Sequence, residues 1–498
     1  MKFTQSIFAA AFAFAAAAAF AAPVTTQGVG VGKHGDIQVA VTFDNGKIQK
    51  IDILKNAENP VLAKKVFTDL KDQIVAANSV QLDGISGATF TSKGLFAAVE
   101  DAAKKAGVTL GQADKKALKA AVKDLPKNAS YDVVVIGAGG AGFSAAIEAK
   151  NAGATVVLLE KMPQVGGNSL ISGAEMNAAK NWVQPKLGIT DDSPELHAKD
   201  TYLGGDKKGD MKVINVMTHN ALAGAEWCRD YLGVRFEPDN LFFFGGHSRK
   251  RALIPVGHTG TEFITKFQAK ADELGIPVIT NMKAEELIKD KSGRVVGVKA
   301  TMNGAEYTFN AKGGVVLATG GFGANPAMVK KYNPKIDERF KTTDAPGTTG
   351  EALYMAQRAG AELVNMQYIQ TYPICDPISG VIELIADARF DGAIMLNQEG
   401  KRFVEELGRR DVLSEAILDQ TGGYCWVLWN DKIGAVSNTV KEHPTEYDAF
   451  TKQGIMTTCP DLKCIADFTK IPYDSLKGTV DRVTSMAGKG NDKDFHHR

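Results

Sequence analysis

The segment YDVVVIGAGGAGFSAAIEAKNAGATVVLLEK, residues 131–161, constrains the fold of this chain more than any other stretch. An apolar run at 132–136 predicts a buried strand, and the small-residue stretch at 141–152 predicts a helix. A second apolar run at 155–160 predicts another buried strand. Together they predict a βαβ unit, which requires a parallel sheet covered by helices, so this part of the chain is expected to be α/β.

The turn between the first strand and the helix carries a Gly-x-Gly-x-x-Gly pattern, formed by Gly137, Gly139 and Gly142 with Ala138 inside it. The first glycine allows the tight turn, the second lets the backbone approach a pyrophosphate, and the third lets helix and strand pack closely. Glu160 closes the second strand, where an acidic side chain takes ribose hydroxyls. The pattern alone is weak, but strand, helix and acid in these places predict a dinucleotide site.

Two more glycine-rich stretches, KMPQVGGNSLISG and VVLATGGFGANP, lie further along the chain. Both resemble the FAD-binding signature of the fumarate reductase and succinate dehydrogenase flavoprotein family. The resemblance implies non-covalent FAD, and the acidic Glu160 argues against a 2′-phosphate. It adds these residues to the predicted cofactor site: Gly167, Asn168, Ser169, Thr319 and Gly320.

A stretch nearer the start, DGISGATFTS, places several hydroxyls among small residues ahead of a helical pattern. It resembles the target at which a flavin transferase esterifies FMN onto a threonine, and the matching position is Thr89. The resemblance implies covalent FMN on Thr89 and a flavin transferase as partner. The competing interpretation is a helix cap, to which Thr91 or Ser92 would contribute.

The first residues, MKFTQSIFAAAFAFAAAAAFAAPV, predict a secretory signal peptide with a positive Lys2, an Ala/Phe run and cleavage near Ala21/Ala22. The alternative, a membrane anchor, is disfavoured because the apolar run is short. We therefore expect a periplasmic protein. A formal net charge of +1 gives no reason to expect nucleic acid as a partner.

The chain of 498 residues is too long for one core and is expected to hold several domains. We predict an α/β, Rossmann-like FAD-binding domain with an α+β capping domain and a small N-terminal α+β FMN-binding domain. The boundaries are a signal peptide at 1–22, an FMN-binding domain at 23–112, a linker at 113–130, an FAD-binding domain at 131–368 and a substrate-capping domain at 369–498.

The segment from MQYIQTYPICDP to NQEGKRFVEELGRRDVLSEAIL, residues 366–418, resembles the active-site half of periplasmic fumarate reductases. In that family an arginine before an aspartate protonates the alkene while reduced FAD delivers hydride. The resemblance gives Arg410 this role. The alternative for Arg410 alone is a surface or capping ion pair. No metal ligand is assigned.

Two departures from the fumarate pattern suggest the substrate. Tyr372 stands where fumarate reductases have a histidine that helps to hold a carboxylate, and Ala386 replaces a relay glutamate, with Asp387 beside it and Arg389 retained. An aromatic ring and an acid suit a substrate whose far end is a hydrogen-bonding ring. The pattern resembles the urocanate-reducing members of the family, so Tyr372, Asp387 and Arg389 are assigned to substrate binding. Drift around fumarate or another 2-enoate, such as methacrylate or cinnamate, is the alternative.

Electrons are expected to pass from an external donor, such as a quinol-linked or soluble cytochrome c, to FMN and then FAD. The chain has no Cys-x-x-Cys-His and so no c-type haem of its own. Relatives return to the flavin domain with further substrate-binding residues, a return that we expect to be missing here. A non-catalytic flavin electron carrier is therefore a further alternative. Cys459 and Cys464 are candidates for a disulfide.

Overall fold

The computed structural model forms two compact units, which divide after Pro126. The predicted signal peptide and most of the predicted linker lie outside the residues that it describes. The described residues are 23–32, 35–58, 60–82, 84, 88–111, 125–376, 384–436, 438–487 and 492–495.

The N-terminal unit is built on an antiparallel sheet of three strands, β1 (Val24–Val31), β2 (Asp36–Asp44) and β3 (Lys47–Lys55), in the order β1-β2-β3. The tight β2–β3 hairpin turns at Asn45 and Gly46, whose φ angles of 49° and 73° are both positive. Two consecutive positive φ angles are typical of a type I′ turn, which Asn-Gly favours. The sequence therefore sets this hairpin locally.

One face of this sheet is covered by helices. They are α1 (Pro60–Lys65), a π-helical turn (Val66–Leu70), α2 (Lys71–Ala77) and α3 (Thr89–Lys105). Alternate residues of β2 point to the helices and are fully buried or nearly so, which forms a single core with the apolar face of α3. The members of this core on β2 are Ile37, Val39, Val41 and Phe43.

Helix α3 approaches strand β1 so closely that two glycines of β1 leave no room for a side chain. A Cβ atom at Gly28 would overlap the carbonyl oxygen of Ala98, and one at Gly30 would overlap that of Gly94. Because the obstacles are backbone atoms, they cannot move aside without a shift of the whole helix.

The second unit contains eleven strands among its described residues. They are β4 (Asn128–Ile136), β5 (Val156–Leu159), β6 (Met176–Asn177), β7 (Phe236–Phe242), β8 (Ala252–Pro255), β9 (Val278–Ile279), β10 (Lys283–Lys289), β11 (Val295–Met302), β12 (Ala305–Leu317), β13 (Ile394–Leu396) and β14 (Trp426–Leu428). The central sheet has the order β10-β11-β12-β4-β5-β9. Strands β12, β4, β5 and β9 run parallel to one another, whereas β10, β11 and β12 pair antiparallel as an extension of the sheet. Separate smaller sheets have the orders β6-β8-β7 and β13-β14.

Helices cover this sheet and build the C-terminal part of the unit. Those in the first part are α4 (Gly140–Asn151), α5 (Gly167–Ile171), α6 (Pro194–Gly204), α7 (Met211–Glu226), α8 (Thr261–Glu273), α9 (Pro326–Tyr332) and α10 (Glu351–Ala359). Those in the last part are α11 (Arg410–Leu418), α12 (Asp431–Gly434), α13 (Thr439–Glu442), α14 (Pro444–Gln453), α15 (Leu462–Thr469) and α16 (Tyr473–Ala487).

The predicted βαβ unit is β4–α4–β5. Strand β4 begins at Asn128, so the last three residues of the segment predicted as a linker, 128–130, belong to the sheet. The prediction placed the strand start too late because polar residues open the strand. These residues pair with Thr308 to Asn310 of β12. Phe143 of α4 stacks on Phe267 of α8 at a centroid distance of 5.7 Å, which fixes the helix layer over the sheet.

The C-terminal part contains the disulfide between Cys459 and Cys464, as the sequence suggested. Within the parts of the chain that are described, no helix has both the length and the apolar character needed to cross a bilayer.

The close contact of α3 with β1 gives a stability prediction. Gly28→Ala is expected to destabilise the N-terminal unit by about 1–3 kcal/mol or more, because the added methyl group overpacks against backbone. Gly111→Ala is the matched control, since a Cβ there meets nothing within 4 Å. Amide hydrogen exchange of the intact protein, followed over α3, measures the difference. Equal protection of α3 in the two variants would contradict the packing described.

Candidate active site

The carboxyl edge of the parallel sheet places the predicted dinucleotide residues side by side. Gly137 follows β4 with a φ of +102°, and a Cβ on it would overlap the carbonyl oxygen of Ala318, the residue after β12. A Cβ on Gly142 would overlap the carbonyl oxygen of Gly137. The first and third glycines of the pattern are therefore required by the packing of this chain on itself.

The second glycine of the pattern, Gly139, differs from the other two because there is space for a Cβ atom at its position. A Cβ there would meet Ser169 Oγ at 3.6 Å and the Gly166 carbonyl oxygen at 3.7 Å, which are ordinary contacts. Gly139 is the N-cap of α4 and makes no side-chain cap, while Gly140 N–H donates to Ser169 Oγ over 3.1 Å. The other N–H groups of this first turn have no partner within the helix, so they can bind an anion approaching Gly139.

Glu160 lies directly after β5 and is 9% exposed. Its carboxylate accepts hydrogen bonds from Ala138 N–H at 2.9 Å and Met162 N–H at 2.8 Å, which aims it at the glycine turn. Each carboxylate oxygen keeps acceptor capacity for a ribose hydroxyl. Nearby in sequence, both polar atoms of the Gln164 amide are buried without a hydrogen-bond partner among the described residues. An unsatisfied buried amide is what a site for a polar ligand presents.

The loop 166–169 is held against the turn by a hydrogen bond from Gly166 N–H to the Ala138 carbonyl oxygen at 2.8 Å. Gly167 begins α5 in this loop. Asn168 uses its amide within the protein, since it donates to Asp344 and accepts from Ala345 N–H at 2.6 Å. Its role here is to tie two loops together rather than to point a free amide at a ligand.

Thr319 and Gly320 follow β12 and lie beside the glycine turn. A Cβ on Gly137 would lie 3.1 Å from Thr319 Cα. The predicted cofactor residues thus share one edge of the sheet, with an open helix N-terminus, an aimed carboxylate and an unsatisfied amide. These residues fit FAD, which when bound supplies reversible hydride transfer.

On the substrate side, Arg410 is the first residue of α11. Its guanidinium carbon lies 4.9 Å from the centre of the Tyr372 ring and 5.8 Å from that of Phe244. Two aromatic faces around a guanidinium hold its orientation through cation–π attraction without using its N–H donors. The donors of Arg410 therefore stay available for a ligand.

Phe244 is held in place by a buried polar cluster that the sequence did not reveal. Arg251 has a fully buried side chain and pairs with Asp192 and Asp200, each at 2.7 Å. Arg251 Nη1 also donates to His247 Nδ1 at 2.9 Å. Burial, and then the charge of Arg251, lower the pKa of His247, which suits a neutral acceptor. This cluster fixes the loop that carries Phe244.

Asp387 and Arg389 lie on a 3-10 turn (Leu384–Asp391) and face each other with unused hydrogen-bonding capacity. Arg389 is 2% exposed and donates from Nη1 to the Glu406 carbonyl oxygen at 3.2 Å. Its Nε lies 3.9 Å from Asp387 Oδ1, and neither atom has a hydrogen-bond partner among the described residues. Buried polar atoms in this state favour a ligand that supplies both a donor and an acceptor.

The carboxyl groups of this site are hard to ionise. Burial raises the pKa of Asp387 to about 6, against the opposing charge of Arg389 and with the help of the carboxylate of Glu175. Burial also raises the pKa of Glu175, which His258 and Arg410 counteract, and that of Tyr372. Sequence reasoning missed Glu175 and Phe244, and their sequence positions give no chemical signal, since only the fold brings them to Arg410.

In the N-terminal unit, Thr89 is the first residue of α3. The hydroxyls of Thr91 and Ser92 are buried and donate to Glu58 and to the Ala88 carbonyl oxygen. Ala88 is the N-cap, and no side chain caps the helix there. The alternative that Thr91 or Ser92 caps α3 is therefore wrong, because both hydroxyls make other bonds.

The contrast between the glycines of the turn gives a binding prediction. Gly139→Ala is expected to leave the fold intact and weaken flavin binding by about tenfold or more, because the methyl group occupies the approach to the helix N-terminus. Gly142→Ala is expected to unfold the second unit, while Gly314→Ala is the control, with nothing within 4 Å of the new methyl group. Flavin absorbance after gel filtration and dialysis measures the retained cofactor. Flavin affinity of the wild-type level in Gly139→Ala would contradict this placement.

Comparison with known proteins shows what the chain is similar to. Urocanate reductase of Eggerthella lenta is 39% identical over 477 residues, which is 95% of this chain and 78% of that protein. The cytochrome fumarate reductase of Shewanella frigidimarina is 35% identical over 77% of this chain and 65% of its own length. NADH:acrylate oxidoreductase of Vibrio harveyi is 31% identical over 94% of this chain, which spans about half (52%) of that protein.

Among solved structures, the open conformation of a flavocytochrome c3 fumarate reductase matches with a TM-score of 0.61 and 29% identity. The match covers 78% of this chain and 66% of that one. Residues 132–498 match the FAD binding domain family, and residues 32–104 match the FMN-binding domain family. The predicted fold class and the two predicted flavins, FAD and FMN, are confirmed. The chain belongs to the family of FAD-dependent oxidoreductases that includes urocanate reductase and cytochrome fumarate reductase, and carries an FMN-binding domain before its FAD-binding domain.

Proposed function

We propose that this chain reduces the alkene of urocanate to imidazole propionate. The observation that carries the proposal is the group formed by Tyr372, Asp387 and Arg410. It combines an aromatic face, a guanidinium 4.9 Å from the centre of that ring, and a buried carboxyl oxygen without a hydrogen-bond partner among the described residues. The identity of 39% to a urocanate reductase supports it.

The reaction adds a hydride and a proton across the carbon–carbon double bond of the substrate. With the hydride coming from reduced FAD, the task left to the protein is to deliver the proton and to stabilise the negative charge that develops towards the substrate carboxylate. Arg410 is the proposed proton donor, held between Tyr372 and Phe244. Burial raises the pKa of Glu175, so this side chain is an acid from which the guanidinium can regain a proton.

Substrate choice follows from the charge facing the far end of the alkene. The second carboxylate of fumarate would face the carboxylate of Asp387, and like charges in a buried site repel each other. The imidazole ring of urocanate instead donates an N–H to Asp387 and stacks on Tyr372. Arg389, whose Nε lies 3.9 Å from Asp387 Oδ1, places a positive charge beside this carboxylate.

The alternatives remain reduction of fumarate or another 2-enoate, and electron transfer without a substrate. The first is favoured by the similarity to a fumarate reductase and an acrylate oxidoreductase. Electron transfer without a substrate would not explain why Asp387 and Arg389 keep buried polar atoms without hydrogen-bond partners among the described residues.

Electrons are proposed to enter from an external donor, such as a quinol-linked or soluble cytochrome c, through FMN esterified to Thr89. Two of its hydroxyl neighbours, Thr91 and Ser92, are buried and engaged, so they are not open to modification. The next residue, Phe90, is 62% exposed, which places the first turn of α3 at the surface, where a flavin transferase can reach it. Export to the periplasm suits a covalent FMN, because the flavin cannot dissociate there.

The test is anaerobic oxidation of a reduced dye by the flavin-loaded protein, with urocanate and fumarate offered in parallel. Turnover is expected with urocanate and little with fumarate. Arg410→Ala should lower kcat by about 10²- to 10⁴-fold, the range of a lost general acid. Arg409→Ala is the matched control, because this neighbour is exposed and, within the described part of the chain, forms surface ion pairs of small value with Asp206 and Asp411.

Preference for fumarate would overturn the assignment of urocanate as the substrate, but alkene reduction would remain the proposed reaction. Absence of turnover with both substrates, in protein that holds both flavins, would favour the electron carrier. Equal losses in the Arg409 and Arg410 variants would remove Arg410 from the role of acid.

The raised pKa of Asp387 predicts a pH dependence of substrate binding. Above about pH 6 the side chain is a carboxylate that accepts from the imidazole N–H, and below that pH it is protonated and the charged acceptor is lost. The KM of Asp387→Asn divided by that of the wild type should therefore fall from about tenfold at pH 7.5 towards one at pH 5. The ratio cancels the titration of urocanate itself. A ratio that does not change with pH would exclude Asp387 from the ring contact.

A further inference from the structure

Glu58 is a buried carboxyl group in the FMN-binding domain that the proposed chemistry has not used. It follows β3, is 6% exposed and accepts a hydrogen bond from the hydroxyl of Thr91, itself 3% exposed. Other acids of this unit stay at the surface, such as Asp52 and Asp101 with side chains 47% and 34% exposed. Burial of a carboxyl group costs stability unless the group is hydrogen-bonded. The buried position of Glu58 therefore suggests that this side chain has a function.

The chain makes room for this carboxyl group with glycines from two other elements. A Cβ on Gly32, just after β1, would overlap Glu58 Oε1. A Cβ on Gly94, in the second turn of α3, would lie 2.9 Å from the Gly32 backbone nitrogen. The end of β1, the start of α3 and Glu58 therefore meet without space for even a methyl group.

One partner of Glu58, Thr91, lies on the first turn of α3. Thr91 is two residues beyond Thr89 on the same turn, while Glu58 is 33 residues away in sequence. The hydrogen bond thus ties the segment after β3 to the beginning of α3. A carboxyl group near a helix N-terminus is also favoured by the partial positive charge of the free N–H groups there.

We propose that the Glu58–Thr91 pair is the positioning element of the flavinylation site: it fixes the first turn of α3 so that the Thr89 hydroxyl meets the flavin transferase in a reactive orientation. The inference rests on the proposed attachment of FMN to Thr89. Glu58 acts through the helix and is a positioning residue, with no contact to the flavin assigned to it.

The step that it assists is a phosphoryl transfer with FAD as donor. The oxygen of the threonine hydroxyl forms a bond to the phosphorus on the FMN side, the pyrophosphate P–O bond breaks, AMP leaves, and the hydroxyl proton passes to a base of the transferase. No oxidation or reduction takes place. Because such a transfer depends on the placement of the nucleophile, a displacement of about 1 Å can slow it by about a hundredfold.

Two substitutions of Glu58 distinguish the effect of side-chain length from the effect of negative charge. Glu58→Gln keeps the length of the side chain and an oxygen that accepts from Thr91, and removes the negative charge. Glu58→Asp keeps the charge and withdraws the acceptor by one methylene group. Positioning predicts attachment within about threefold of wild type for Glu58→Gln and at least about tenfold slower for Glu58→Asp. Thr91→Ser, which keeps the hydroxyl, should resemble wild type, whereas Thr91→Val should resemble Glu58→Asp.

The full-length protein is incubated with purified flavin transferase and FAD, and covalent flavin is quantified by fluorescence of the denatured band. The affected variants should show a lower kcat of the transferase and an unchanged KM for the acceptor protein. Circular dichroism and hydrogen exchange over α3 verify that each variant is folded. If Thr91→Val fails to fold, the Glu58→Gln and Glu58→Asp pair decides alone.

Peptide mapping of the wild type keeps the two proposals apart. FMN on a peptide other than the one with Thr89, or no covalent FMN, would refute the proposed attachment site itself. FMN on Thr89 with equal rates in all folded variants would refute the positioning role alone. A slow Glu58→Gln with a normal Glu58→Asp would also refute it, since charge rather than position would then matter.

Discussion

The second unit depends on the contact between the turn after β4 and the helix that follows it. Gly142 packs directly on the carbonyl oxygen of Gly137, and Gly137 packs on that of Ala318 after β12. Backbone thus meets backbone at the carboxyl edge of the parallel strands, and the helix N-terminus is pinned there. Glu160 and the loop at 166–169 take their positions from this junction through the hydrogen bonds to Ala138. Of the three glycines of the pattern, only Gly139 has room for a Cβ atom, and we expect the cofactor to approach there.

The substrate site differs from the glycine junction in how its buried groups are partnered. At the glycine junction backbone packs on backbone. At the substrate site, Asp387 and Arg389 each keep a buried polar atom that has no hydrogen-bond partner among the described residues. Such atoms cost stability in the free protein, and that cost is recovered when a ligand supplies the missing partners. A donor–acceptor ring with a carboxylate at its other end meets both demands, with the ring at Asp387 and the carboxylate towards cationic groups. A substrate without such a ring would leave Asp387 buried and unpaired, and the energetic cost of that unpaired group would disfavour its binding.

The sequence predicted those parts of the fold that local patterns dictate: the β4–α4–β5 unit and a helix after the hydroxyl-rich stretch. It missed what depends on long-range contact. The start of β4 at Asn128 is set by pairing with β12, nearly two hundred residues on. Glu175 and Phe244 approach Arg410 from separate strands and loops, and no local spacing encodes that approach.

The same distinction explains why Glu58 escaped notice in the sequence. A single glutamate after a strand is ordinarily a solvated side chain, and only its burial beneath Gly32 and its bond to Thr91 set it apart. The hydroxyl-rich motif contains several residues that could be modified. Which of them are accessible depends on their hydrogen-bond partners in the folded domain, such as Glu58 for Thr91. Because Thr91 and Ser92 are occupied by internal acceptors, the fold reduces the choice among neighbouring hydroxyls. If FMN is attached to Thr89 as proposed, the folded domain and not the motif alone selects this threonine.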